Sequence, residues 1–244
     1  MKTLILIPSR LAATRLPGKP LLKINGLSII SHVMKRAIET NLGEVYVATG
    51  DKQIIADVEH NGGNAILTCR DHKTGTDRIY EAFKALKKSD IELIINLQGD
   101  EPLINIDDVR NLQKQMIKTK SQFGTLASKI VDKNLYNKES IVKVETKENL
   151  ANFNFPEALN FSRKFKETKN CIYHHLGIYC YQVKTLEKFV SLAQSENEIG
   201  NNLEQLRALD NNIKINVALA KSSSVGVDTE EDFVSIRKIM EYKT

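Results

Sequence analysis

The sequence predicts an α/β fold on a mixed, mostly parallel sheet, with a more antiparallel section inserted after about residue 120. Three observations carry that expectation. Short uninterrupted apolar runs such as Thr3–Ile7 and Leu93–Leu97 read as strands buried on both faces. Stretches of helical spacing alternate with these runs, which implies βαβ crossovers and helices covering the sheet. Beyond residue 120 this alternation gives way to several strands with little helix between them.

In chain order, Thr3–Ile7 is the first strand, broken at Pro8, and an irregular stretch follows as far as Pro20. Leu27–Thr40 has helical spacing in Ile29, Ile30, Val33, Ala37 and Ile38. Glu44–Ala48 is a strand, Gln53–His60 a helix and Ala65–Thr68 a strand. Thr76–Lys87 is a helix with Ile79, Phe83 and Leu86 on one face and Thr76 as its N-cap. Leu93–Leu97 and Ile106–Thr119 repeat the strand and helix pattern. Thr125–Val131, Ile141–Glu145, Ala158–Ser162 and Gly177–Gln182 are the strands of the inserted section, with exposed loops in the Asn- and Lys-rich stretch Asn149–Asn170. A helix over Asn202–Leu209, a strand over Ile215–Ala220 and a helix over Glu230–Tyr242 restore the α/β pattern. Residues 1–244 therefore read as one domain, with 120–182 as an inserted β-rich section.

Composition narrows the function classes. Of 244 residues, 41% are hydrophobic and 27% charged, enough for a sizeable core. No apolar run approaches the roughly 18 residues that span a bilayer. The run Leu4–Ile7 is too short for a signal peptide, so a cytoplasmic protein is expected. The three cysteines, Cys69, Cys171 and Cys180, form no C-x-x-C pair, which excludes a disulfide framework and a zinc site. They read as partly buried small apolar residues. A net charge of +5 is spread too thinly for a nucleic-acid binder.

Ligands of open α/β sheets bind at the carboxyl ends of strands, so the segments after Ile7, Thr68, Leu97 and Ala220 are the places to look. The first is Pro8-Ser9-Arg10-Leu11-Ala12-Ala13-Thr14-Arg15-Leu16-Pro17-Gly18-Lys19-Pro20, with Lys23 close behind. Small residues let backbone N–H groups approach phosphate oxygens while the cations neutralise them. The alternative is a solvated basic loop. The second, Gln98-Gly99-Asp100-Glu101-Pro102, is either a Mg²⁺ carboxylate turn or a plain turn. In Gly226-Val227-Asp228-Thr229, Asp228 is either a second metal ligand or part of a helix start capped by Thr229 and Asp232. His72-Lys73-Thr74-Gly75-Thr76-Asp77-Arg78 is placed to reach a base or ribose, though capping explains much of it. His175-Leu176-Gly177-Ile178-Tyr179 and Leu203-Glu204-Gln205-Leu206-Arg207 have little intrinsic meaning.

Taken in order, I-P-S-R-L-A-A-T-R-L-P-G-K-P-L, T-G-T-D-R, N-L-Q-G-D-E-P-L-I, F-S-R, H-L-G-I-Y, L-E-Q-L-R and G-V-D-T-E-E-D resemble the 3-deoxy-manno-octulosonate (Kdo) cytidylyltransferases from Ile7 to Asp232, almost the whole chain. The R-L-P-G-K-P form separates this family from its sialic-acid-activating cousins. The resemblance implies a three-layer, Rossmann-like nucleotidyltransferase fold, a homodimer and a Mg²⁺-dependent enzyme. Such an enzyme moves CMP from CTP to an acidic sugar, releasing pyrophosphate and serving lipopolysaccharide biosynthesis. It implies that Ser9, Arg10, Arg15, Lys19, Thr74, Gly75, Arg78 and Gln98 bind the nucleotide and that Asp100 and Asp228 hold the metal. Arg10, Lys19, Asp100 and Asp228 would be catalytic. Gln98, Arg163, His175, Tyr179, Glu204 and Gln205 would line the sugar side. There the chain departs from the family: Lys164-Phe165-Lys166 replaces an Ile-Pro pair, Asn149–Phe155 is longer than the usual hairpin, and Asn201 replaces an acidic residue. An 8-amino form of the sugar or a sialic acid is therefore the alternative substrate, and a nucleotide-binding module without turnover is the alternative from another class.

Overall fold

The computed structural model describes residues 1–12, 15–131, 136, 138–165, 171–223 and 226–242. Ala13, Thr14 and Lys166 of the motifs above lie outside these residues. The chain divides into two compact units, Lys2–Ile106 with Ser224–Thr244, and Asp107–Ser223 with Met1. The stretch 120–182 falls wholly within the second.

The first unit contains β1 (Thr3–Ser9), the small hairpin β2 (Lys23–Ile24) and β3 (Leu27–Ser28), α1 (Ile29–Glu39), β4 (Gly43–Thr49), α2 (Lys52–His60), β5 (Ala65–Leu67), α3 (Gly75–Leu86) and β6 (Leu93–Asn96). Its large strands run in the order β6-β1-β4-β5, all parallel. The path from β1 to β4 to β5 steps one way, and the next crossover returns to the far side of β1. Right-handed crossovers then put α3 on the face opposite α1 and α2. Leu4, Ile5, Leu6 and Ile7 are fully buried, as a strand covered on both faces requires.

Three boundaries differ from expectation for physical reasons. β1 runs through Pro8 to Ser9 because its pairing with β6 ends at Leu6, so no β6 partner calls for the N–H that proline lacks. α1 starts at Ile29, since Leu27 and Ser28 pair with Ile24 and Lys23 and Ser28 accepts from the Ser31 N–H as N-cap. The cap of α3 is Thr74, not Thr76: its hydroxyl accepts from Asp77 N–H, the third helical position, while Thr76 is buried.

The second unit contains α4 (Ile106–Thr119), β7 (Phe123–Ser128), β8 (Lys143–Thr146), β9 (Ala158–Ser162), β10 (Cys171–Gln182), α5 (Val183–Ser191), α6 (Glu196–Asn201), α7 (Leu206–Asp210) and β11 (Asn216–Leu219). The order is β11-β7-β10-β8-β9, with only the β11–β7 pair parallel. β10 is longer than Gly177–Gln182 because its first half pairs with β8 and the rest with β7, with an irregularity between Leu176 and Tyr179. Of the helix expected over Asn202–Leu209 only Leu206–Leu209 is helical, in α7, and α6 before it was not expected. Asn202 adopts φ 52°, a left-handed conformation that asparagine tolerates, and closes α6. α5, which buries Thr185, Leu186 and Phe189, was not expected. The chain ends in the first unit with α8 (Glu230–Glu241), whose Thr229–Asp232 capping box is as read from sequence. Cys69 is exposed, Cys171 half-buried and Cys180 buried, so the first behaves as a surface residue.

The second unit is held by a buried ion pair. Arg207 donates from Nε to Glu198 Oε2 at 2.8 Å and from Nη2 to Oε1 at 2.6 Å, and its guanidinium lies 4.6 Å over the Phe189 ring. Arg207→Met leaves Glu198 buried without its partner. It is expected to cost about 3–5 kcal/mol of stability, read as a fall in the denaturant midpoint. Burial raises the Glu198 pKa, but the Arg207 and Gln194 hydrogen bonds outweigh it and hold the group below 4.5. The pair's stabilisation is thus present above that pH and lost as pH falls below it. Arg207→Met should abolish that part of the acid-unfolding profile, and an unchanged midpoint would contradict the account.

Candidate active site

The carboxyl ends of β1, β5 and β6 and the turn before α8 enclose a cleft of about 480 Å³ within the first unit. Its lining includes Ser9, Arg10, Arg15, Lys19, Thr74, Gly75, Arg78, Gln98, Asp100 and Asp228. All the residues expected to touch nucleotide or metal are therefore brought together. Ser9 Oγ is buried and has no hydrogen-bond partner among the described residues. Arg10 is exposed and likewise lacks an ion-pair partner among them.

Lys19 reaches the cleft through local backbone chemistry. Gly18 takes φ 69°, a left-handed conformation that suits glycine, and leads into a short 3-10 turn over Lys19–Leu21 with Pro20 buried. Leu16 joins a buried cluster with Ile24, Ile29, Val227, Phe233 and Ile236. The Lys19 ammonium donates to Asp100 Oδ2 at 2.6 Å and Asp228 Oδ1 at 3.3 Å, and Arg15 pairs with the same Asp228 oxygen at 3.2 Å. The two acidic turns are themselves tied, since Val227 N–H donates to Asp100 O at 2.9 Å. Asp228 is not the helix cap, a role taken by Thr229 and Asp232, so its carboxylate is left to meet the cations. Gly99 is needed here: a Cβ on it would lie 2.9 Å from Pro8 O and 3.1 Å from Ile30 Cδ1.

Arg78 is buried, and it spends three N–H bonds on its own loop: Thr68 Oγ1 at 2.6 Å, Cys69 O at 2.9 Å and Arg70 O at 2.8 Å. Burial, followed by the Arg10 charge, lowers its pKa. His72 pairs with Glu81 at 2.5 Å. Sequence reasoning missed Asp51, which looks like an N-cap for α2 but makes no side-chain cap bond. Instead its carboxylate accepts from Leu11 N–H at 2.8 Å and anchors the first loop. A contact forty residues away leaves no local signal.

The residues expected on the sugar side, Gln98 apart, lie in the second unit. His175 is buried against Phe161, ring centroids 4.9 Å apart, with Nε2 2.9 Å from Thr125 Oγ1. Thr125 has one hydroxyl proton and lies 2.8 Å from Ile178 O, so His175 is the donor in their bond. Burial, then the neighbouring His174, lowers the His175 pKa to about 3. Tyr179 donates to Gln205 Oε1 at 3.2 Å, which links two of the expected residues. Glu204 is half-buried. Arg163 donates from Nη1 to Glu139 O at 3.1 Å and Ser140 O at 3.4 Å.

Comparison with known proteins agrees with the motifs. The Cytidylyltransferase family profile matches residues 4–215. A 3-deoxy-manno-octulosonate cytidylyltransferase of Nitrobacter hamburgensis (strain DSM 10229 / NCIMB 13809 / X14) is 41% identical, covering 98% of this chain and 93% of its own length. One of Rhizobium meliloti (strain 1021) is also 41% identical, covering 98% and 96%. A solved structure of CMP:2-keto-3-deoxy-manno-octonic acid synthetase complexed with CTP superposes with a TM-score of 0.90 at 35% identity, covering 100% of both chains. UDP-glucose pyrophosphorylase complexed with UDP-glucose, at 15% identity and a TM-score of 0.74, shares the fold. The expected α/β nucleotidyltransferase fold is thus the fold of this chain, and by profile and near-full-length identity the chain belongs to the 3-deoxy-manno-octulosonate cytidylyltransferases of the cytidylyltransferase family.

Proposed function

We propose that this chain transfers CMP from CTP to the anomeric hydroxyl of 3-deoxy-manno-octulosonate, releasing pyrophosphate and supplying an activated sugar for lipopolysaccharide. The observation that carries the reading is the convergence of Asp100 and Asp228 on the Lys19 ammonium in a cleft also lined by Arg10, Arg15 and Arg78. The hydroxyl oxygen attacks the α-phosphorus, and the bond to the bridging oxygen of the β-phosphate breaks with its electron pair leaving on pyrophosphate. Catalysis of this kind rests on positioning and charge neutralisation. Arg10, Arg15 and Lys19 neutralise the β- and γ-phosphates, where charge develops. Ser9, Thr74 and Gly75 offer a hydroxyl and a helix N-terminus to the nucleotide, Arg78 holds the loop beside it, and Gln98 faces the reacting groups.

A divalent cation fits the same place. One positively charged nitrogen already meets both carboxylates, and Mg²⁺ commonly takes one or two carboxylates with the remaining ligands from water and phosphate. Asp100 and Asp228 would hold it, and when bound it supplies Lewis-acid neutralisation at the α-phosphate. On the sugar side, Arg163 pairs with the sugar carboxylate, while Tyr179, Glu204 and Gln205 meet its hydroxyls. His175, neutral and donating to Thr125, orders the pocket rather than moving a proton. The homodimer belongs to this proposal, and the exposed Leu159 on β9 supports it.

The direct test is pyrophosphate release with CTP, Mg²⁺ and a panel of acidic sugars that includes the 8-amino form and a sialic acid. Release is expected with CTP and 3-deoxy-manno-octulosonate. CTP binding without release with any sugar would sink the reading. In the same assay Asp100→Asn should lose about 100-fold or more in kcat, the scale of one lost transition-state contact. Near-normal turnover would remove Asp100 from the metal site. Lys19→Met should cut kcat/KM for CTP at least about tenfold with an intact fold, and no change would end the phosphate-loop assignment. The His175 ring should show no NMR titration between about pH 5 and 8, far above its pKa of about 3. A midpoint near the ordinary histidine value would contradict its burial. Because the unfolded chain takes that proton and the folded chain does not, this histidine lowers stability as pH falls below about 6.5.

A further inference from the structure

Lys143 lies in β8 with its side chain fully buried, and it has no carboxylate partner among the described residues. Its amine donates to Lys138 O at 2.7 Å and to Arg163 O at 2.6 Å. Burial lowers its pKa, the Arg163 charge pushes the same way, and Glu139 opposes them. Burying an amine carries a desolvation cost of several kcal/mol that an apolar side chain of similar length would avoid. What Lys143 gains is a specific tie. It joins the segment before β8 to the main chain of Arg163, at the end of β9.

Arg163 makes the reciprocal tie, since its guanidinium donates to Glu139 O and Ser140 O in that same segment. The base and the tip of the Arg163 side chain are thus referenced to one stretch of chain, residues 138–140. Two residues before Arg163, β9 carries Phe161, which packs on the His175 ring. A displacement at Arg163 O is therefore passed to the guanidinium, the group proposed above to meet the sugar carboxylate.

We propose that Lys143 is a positioning residue for the sugar acid: it fixes the backbone at Arg163 so that the guanidinium is held ready for a carboxylate. This rests on the reading of Arg163 as a sugar contact. The test is steady-state kinetics on Arg163→Ala, Lys143→Met and the double variant, with CTP and sugar acid varied separately. Lys143→Met should raise the KM for the sugar acid about tenfold while the KM for CTP stays within about twofold. The double variant should be no worse than Arg163→Ala alone, because the lysine acts through the arginine. A sugar KM unchanged in Lys143→Met, or losses that multiply in the double variant, would overturn the inference while leaving Arg163 in place. An unchanged sugar KM in Arg163→Ala would overturn the Arg163 reading itself, and this inference with it. Should Lys143→Met fail to fold, Lys143→Gln keeps an amide donor on a shorter stem and is judged by the same two comparisons.

Discussion

The Lys19 ammonium between Asp100 and Asp228 is the contact that joins the first unit's basic loop to its two acidic turns. Two carboxylates brought to one point repel each other, and a cation between them makes their proximity tolerable. That cation is delivered by backbone geometry: the left-handed Gly18, the buried Pro20 and the Leu16 anchor leave the lysine stem little freedom. The acidic turns arrive by separate routes, one at the end of a buried parallel strand and the other at the start of α8. The hydrogen bond from Val227 to Asp100 joins them. Under the proposed function a metal ion would take the place of the ammonium on carboxylates already brought together, with Lys19 released to the phosphates.

The second unit handles charge differently. Arg207 and Glu198 neutralise each other as a bidentate pair, and the group contributes to stability. Among the described residues Lys143 hydrogen-bonds to carbonyl oxygens, and Arg163 beside it donates to carbonyls as well. Both cations are thereby solvated by the backbone, with no ion pair to an acid among those residues. That leaves a positive field available to an anionic substrate. The contrast between a closed pair and an open one separates a structural charge from one suited to a ligand.

Much of this was legible in the sequence because it is local. The apolar runs of β1 and β6, the helix Ile106–Thr119 and the Thr229–Asp232 box follow from short-range pattern and emerge as read. Helix α5 was missed because its few buried positions give a short and ambiguous stripe. The helix over Asn202–Leu209 was misread because Asn202, in a left-handed conformation, closes a helix before it and the next one starts only at Leu206, a choice that local composition does not announce. At the site, residue types and spacing pointed to the basic loop and the acidic turns, and the family resemblance named the sugar-side residues, but the facing of Asp100 and Asp228 could not be read, since it depends on contacts more than a hundred residues apart. Asp51 and Lys143 were invisible for a related reason: their partners lie forty residues away at Leu11 and twenty away at Arg163.

In the proposed function the basic loop and the acidic turns act as one device. The most direct measurement is a double-mutant cycle of Lys19→Met and Asp100→Asn, read as kcat/KM for CTP in pyrophosphate release. Residues that act as a unit are strongly non-additive, so the double variant should be about as impaired as the worse single variant. Losses that multiply would show two independent contributions and contradict the account.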